Sequence, residues 1–258
     1  MKKSPVILLM LLWGITPNAY SQTSFGFGLQ FGTPINAFRD NTKAVGAGVN
    51  ANLYVPLGRD VPVFIGINAG YMLYGSSTKA INQNIAFYSN NSPINGGSIP
   101  VNIDVMTNNN MFNGNLALRV KIPIPIVKPY VEGLVGFNYL YTRTSIYDRT
   151  SNSIFTQNQN SRLINSRTQS KSTVLQYGLG AGVVIKLTES LGLDIRATYL
   201  AGGKAKYFDS SQTQNWRVIS VSDPYTSGNA VTLNTDGAAQ KDSTTDLFLI
   251  NVGLTIDL

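Results

Sequence analysis

The final eleven residues, Phe248 to Leu258, alternate without a break. Phe248, Ile250, Val252, Leu254, Ile256 and Leu258 fall on one face of an extended strand, with Leu249, Asn251, Gly253, Thr255 and Asp257 on the other. A helix cannot present that pattern, because its apolar positions recur every three to four residues rather than every two. One face is apolar throughout and the other is mostly small or polar, as in a strand standing between hydrocarbon and a polar interior. Strands of this kind must close on themselves, since an open edge would leave backbone groups unpaired in lipid.

The same period recurs upstream. Ser24 to Gly32 turns Phe25, Phe27, Leu29 and Phe31 outward; Ala44 to Val55 keeps Asn50, Asn52 and Tyr54 inside. Val63 to Leu73, Phe112 to Ile122, Val131 to Tyr141, Leu175 to Ile185 and Leu191 to Gly202 complete the set. In the sixth segment Gly178, Gly180 and Gly182 form the lumen side. Each run is about the ten residues that a tilted strand needs to cross a bilayer. The expectation is an all-β, membrane-spanning antiparallel up-and-down barrel of eight strands. Ile81, Ile85 and Phe87 with Val101, Ile103 and Val105 leave an alternative open, either an outer hairpin or two further spanning strands, which would make ten. Eight is preferred, because Gln83 would otherwise face lipid.

The opening of the chain agrees with export. Lys2 and Lys3 precede an apolar run from Val6 to Ile15 and then Ala19-Tyr20-Ser21, a small-x-small cleavage pattern. Residues 1–21 are read as a signal peptide and 22–258 as the barrel domain. Charged residues are only 13% of the chain, low for a water-soluble surface but suited to a wall in lipid. Cys and His are both absent, so no disulfide is possible and most transition-metal sites lose their commonest ligand. No metal or cofactor is expected. The formal net charge of +7 falls as Lys2 and Lys3 leave, and an exported chain without a clustered basic motif does not point to nucleic acid.

Connections between the eight segments alternate strictly. Pro56 to Pro62, Pro123 to Pro129 and Thr188 to Ser190 are short; Thr33 to Lys43, Gly75 to Asn110, Thr144 to Ser172 and Gly203 to Ser243 are long. Short turns face the periplasm in outer-membrane barrels, which puts both termini there. Phe31, Tyr71, Phe112, Tyr139, Tyr141, Tyr177, Tyr199 and Phe248 lie outward beside the long connections, an interfacial aromatic belt.

Several charges fall inside: Arg119, Lys121, Glu132, Lys186, Asp194, Arg196 and Asp257. Pairing the fourth and fifth strands about a turn near Pro125 puts Arg119 across from Glu132 and Lys121 across from Tyr130. A narrow lumen requires such charges to find partners, so Arg119, Glu132, Lys186, Asp194 and Arg196 are read as a structural polar network before an ion-selective gate. Arg143, Arg149, Arg162, Arg167 and Lys171, against Asp148, concentrate positive charge in the third long connection. That segment is a candidate binding loop for lipopolysaccharide phosphates, an acidic glycan or an acidic protein; its plainer role is solvation. Tyr207, Phe208, Trp216 and Tyr225 in the fourth serve either a partner or the loop's own packing.

The signal segment, eight alternating runs, Gly-rich sixth strand and terminal "FLINVGLTIDL" resemble the small outer-membrane β-barrels of two-membraned bacteria, the OmpA/OmpX-like and "porin family" proteins. The resemblance implies residence in the outer membrane among its lipids and lipopolysaccharide, and insertion by the barrel-assembly machinery. Enzymes in that family rely on His, which this chain lacks, so no catalytic residue is assigned. Two functions are in view: a non-enzymatic barrel acting through its outer loops in a structural, adhesive or complex-forming role, or a narrow pore for small molecules.

Overall fold

The computed structural model describes residues 23–258 except 43, 59–60, 90–91, 150–162, 222–230 and 235–239. The expected signal segment, Arg162 and Tyr225 lie outside the described residues. In chain order the strands are β1 (Ser24–Pro34), β2 (Gly46–Pro56), β3 (Val63–Ser89), β4 (Ser92–Lys121), β5 (Val127–Asp148), β6 (Leu163–Lys186), β7 (Leu191–Gly202), β8 (Lys204–Tyr207), β9 (Arg217–Val221), β10 (Val231–Asn234), β11 (Lys241–Thr244) and β12 (Leu247–Asp257). A short helix α1 (Asn36–Asn41) follows β1, and a 3-10 turn (Ser210–Asn215) follows β8.

Eight of these strands form a closed barrel in the order β1-β12-β7-β6-β5-β4-β3-β2. Every neighbouring pair is antiparallel, and β1 bonds both β12 and β2, so the ring has no free edge. The register between β4 and β5 sets Arg119 opposite Glu132 and Lys121 opposite Tyr130. The strand count is eight. The segment that left ten open instead extends β3 and β4, with Ile81 opposite Ile103 and Ile85 opposite Ile99.

Strand lengths divide the ring into two halves. β1, β2, β7 and β12 have 11, 11, 12 and 11 residues, enough to cross a bilayer and no more. β3, β4, β5 and β6 have 27, 30, 22 and 24, so one side of the ring continues beyond the wall as a four-stranded sheet. Beyond Leu73, β3 runs on for roughly 50 Å at the rise of an extended strand. The register shifts between Leu73 and Gly75, a bulge that adds Tyr74 where the strand leaves the barrel. The third and second long connections are thus mostly strand, because their Ser, Thr and Asn residues alternate with inward Ile81, Ile103, Val105 and Ile146, all buried.

The outer wall is apolar. Leu175, Leu179 and Leu116 are 79%, 73% and 60% exposed. A fully water-facing wall of this kind would be an aggregation surface, whereas in hydrocarbon it is the stable arrangement. Tyr71, Phe112 and Tyr139 lie on one rung across β3, β4 and β5, and Leu179, Tyr199 and Phe248 on another across β6, β7 and β12. Phe112 packs on Phe137 at 6.0 Å and Tyr139 stacks on Tyr141 at 5.5 Å.

Candidate functional site

Glycines on β6 make the lumen's first layer possible. Gly180 sits opposite Glu132 and Gly182 opposite Tyr130. A Cβ at Gly180 would come within 2.9 Å of the Glu132 Cγ, so small residues on one strand make room for large polar ones on the next. Into that space Glu132 projects as the common acceptor. Its carboxylate takes Arg119 at 2.8 Å, Arg196 at 3.1 Å and the Tyr54 hydroxyl at 2.6 Å. Asn68 donates to the Tyr54 hydroxyl at 2.8 Å and accepts from Arg196 at 2.9 Å. The Tyr130 hydroxyl donates to Asp194, whose other oxygen lies 3.9 Å from Arg119. The Arg119 guanidinium is held between the rings of Tyr54 and Tyr130, at 3.7 and 3.8 Å from their centroids.

All of these groups are buried. Lys186 departs from the expected network: it is exposed at the short-turn end of β6. It ends the strand, two residues past buried Val184, so its long chain reaches water. Lys121 and Asp257 also sit at that rim, half-buried, with the Lys121 ammonium 4.3 Å over the Phe64 ring and Asp257 3.9 Å from Lys128.

Above this ionic layer lies a carboxamide layer. Gln176 donates to Asn115 at 2.8 Å, beside buried Gln30, Asn113, Asn138 and Asn251. A chamber of about 20 Å³ remains between the layers, room for a single water. Above it the interior becomes apolar, with Met72, Met111, Leu140, Leu200, Leu247 and Leu249 all buried. Phe38 of α1 closes this layer, its ring 5.1 Å from Tyr207 and 5.8 Å from Tyr74.

The position of Phe38 depends on how the chain leaves β1. Asn36 adopts a positive φ of 52°, which Asn tolerates better than most residues, and this turns the chain into α1. Asp246 fixes the turn: one carboxylate oxygen accepts from the Asn36 side chain at 2.9 Å and the other from the Gly202 amide at 3.1 Å. Burial pushes the Tyr207 phenol above its usual range, and it shares a 2.8 Å hydrogen bond with Ser243. Trp216, from the fourth long connection, is buried as well, and the Lys79 ammonium donates to its carbonyl at 2.7 Å. Tyr207 and Trp216 therefore stitch the cap over this end of the barrel together. Phe38 and Asp246 carry no sequence signal of their own, since they lie outside any periodic run; Tyr54 was legible as a lumen residue but not as a carboxylate ligand.

The described basic residues of the expected binding loop stand on β5, just beyond it, and on β6. Arg143, on β5, is exposed, and its Nε donates to Ser166 at 2.7 Å. Arg149 pairs with Asp104 at 2.9 Å and donates to Asn82 at 2.7 Å. Arg167 and Lys171 are exposed on β6. Lys171 is the register partner of Tyr141, and Arg143 of Thr168. Among the described residues no group of three His, Cys, Asp or Glu is placed to hold a metal ion.

No family model matches the chain, and no curated protein matches it. Solved structures do. Neisserial surface protein A is 9% identical, with 92% of this chain and 97% of that one covered, at a TM-score of 0.42. A major outer membrane protein from Thermus thermophilus is 11% identical over 92% and 99%, at 0.43. The outer membrane protease OmpT from Escherichia coli is 9% identical over 95% and 99%, at 0.37. At such identities the likeness reaches no site residue.

Proposed function

We propose that the chain is a non-enzymatic integral outer-membrane barrel, closed to solutes, that presents a projecting β-sheet and a folded cap at the cell surface for structural, adhesive or complex-forming contacts. The observation that carries this reading is the filled interior. Along the barrel axis a solute would meet the Arg119–Glu132–Arg196 layer, the carboxamides and then the apolar layer under Phe38. Breaking buried ion pairs and buried apolar packing together costs far more than a passing ion recovers. Support for the outward orientation comes from the same pattern of lengths: only one end of the barrel carries extended strands, and the outward tyrosines lie at that end. Both termini then lie in the periplasm.

Planar bilayers test this reading. The full chain, inserted at several salt concentrations, is expected to give no discrete current steps. Regular, salt-proportional steps would replace it with a narrow pore.

A further inference from the structure

We propose that Arg143 and Lys171 form a phosphate clamp on one flank of the barrel, taking the headgroup phosphate of an anionic outer-leaflet lipid. The proposal rests on the outer-membrane reading above and specifies a partner for it. Its basis is the outer face of the β5–β6 ladder, followed outward along the strands. Phe137 lies opposite Leu175, Tyr139 opposite Thr173, Tyr141 opposite Lys171, Arg143 opposite Thr168, and Ser145 opposite Ser166. The apolar wall therefore passes through two stacked tyrosines directly to two cations and then to hydroxyls. Tyrosine marks the boundary between acyl chains and headgroups, so a cation on the same rung as Tyr141 and another on the next rung stand at phosphate height.

Three further observations support a ligand there. Neither Arg143 nor Lys171 has a carboxylate partner among the described residues, whereas Arg149, higher on the same sheet, is already paired with Asp104. The Ser166 bond uses Nε of Arg143 and draws its guanidinium one rung outward, so that the Lys171 ammonium must extend outward along the ladder to share one phosphate with the Arg143 terminal nitrogens. The neighbouring positions are hydrogen-bonding rather than charged: Asn110 accepts from the Tyr71 hydroxyl at 2.6 Å, and Ser76 donates to Asn108 at 2.8 Å. Lys204 and Lys206, exposed on β8 beside β6, extend the positive flank, with Asp242 opposite Lys206. On the opposite flank β1 and its neighbours show exposed apolar side chains, Phe31, Val45 and Phe248.

The test uses the full chain refolded into phosphatidylcholine vesicles with and without lipid A, a doubly phosphorylated glycolipid, and counts lipid A retained after mild detergent extraction. Insertion is checked first by heat-modifiable migration. Each cation removed, in Arg143→Gln and Lys171→Gln, is expected to lower lipid A retention about fivefold. Arg39→Gln, on the opposite flank, is expected to leave it unchanged, and Arg143→Lys to retain part of it. Equal retention by inserted wild type and the double variant overturns the clamp and leaves the barrel reading standing. Competition by millimolar inorganic phosphate also overturns it, in favour of a soluble phosphate ligand. A chain that does not insert overturns the reading beneath it.

Discussion

Glu132 is the residue on which the lumen turns, because two arginines and a tyrosine hydroxyl converge on one carboxylate with no solvent to replace it. Glu132→Gln would leave Arg119 and Arg196 facing each other with the nearest full negative charge at Asp194. The expected loss is about 3–5 kcal/mol, the cost of breaking a buried pair from one side. Urea unfolding of the refolded protein in detergent measures it. Lys186→Gln, at the exposed rim, should stay within about 0.5 kcal/mol in the same assay, because the side chain is exposed. An equal loss in both variants would mean that the ionic layer contributes nothing specific. The contrast between Glu132 and Lys186 also marks what alternation can reveal. Period two says which face a residue takes, and a turn centre gives its register partner, so Arg119 opposite Glu132 was legible. It does not say how far along the barrel axis the water begins, and that is what separates Lys186 from the others.

At the scale of elements, the spanning strands were legible and the cap was not, for a physical reason. A wall between lipid and lumen imposes its period on every residue that crosses it, whereas a cap needs only a few well-placed side chains. Phe38 is inserted by a six-residue helix with no amphipathic repeat, and Asp246 holds it through three elements that are distant in sequence. The extensions of β5 and β6 carry Ser, Thr and Asn that suit water, which is where those strands stand, and so read as loop, whereas the β3–β4 extension is legible as an outer hairpin from the alternation of Ile81, Ile85, Ile103 and Val105. If α1 is the keystone of the cap, Phe38→Ala should cost about 3–5 kcal/mol of local stability. Limited proteolysis should then cut the cap faster, within 203–246, while the heat-modifiable barrel persists. Because the ionic layer lies below, this variant should still be electrically silent in bilayers. Current through Phe38→Ala alone would show that the apolar layer is the whole seal.

For the whole molecule, the decisive quantity is which end faces outward, since the projecting sheet, the cap and the Arg143–Lys171 flank all belong to the same end. Two features that need not have coincided mark the same end of the barrel. Strands β3 to β6 overrun the bilayer at one end only, and the outward Tyr71, Tyr139, Tyr141, Tyr177 and Tyr199 lie toward that end. The chain contains no cysteine, so single probes can be placed without background. Cys at Asn215 in the 3-10 turn and at Arg39 in α1, both exposed, should react with a membrane-impermeant thiol reagent on intact cells. Cys at Leu57 and Glu189, exposed in short connections, should react only after the outer membrane is permeabilised. Labelling at Leu57 and Glu189 with none at Asn215 would invert the barrel. It would place the sheet in the periplasm, remove any contact with the outside, and move the cations of β5 and β6 to the inner leaflet, where their lipid partner would have to be a phospholipid.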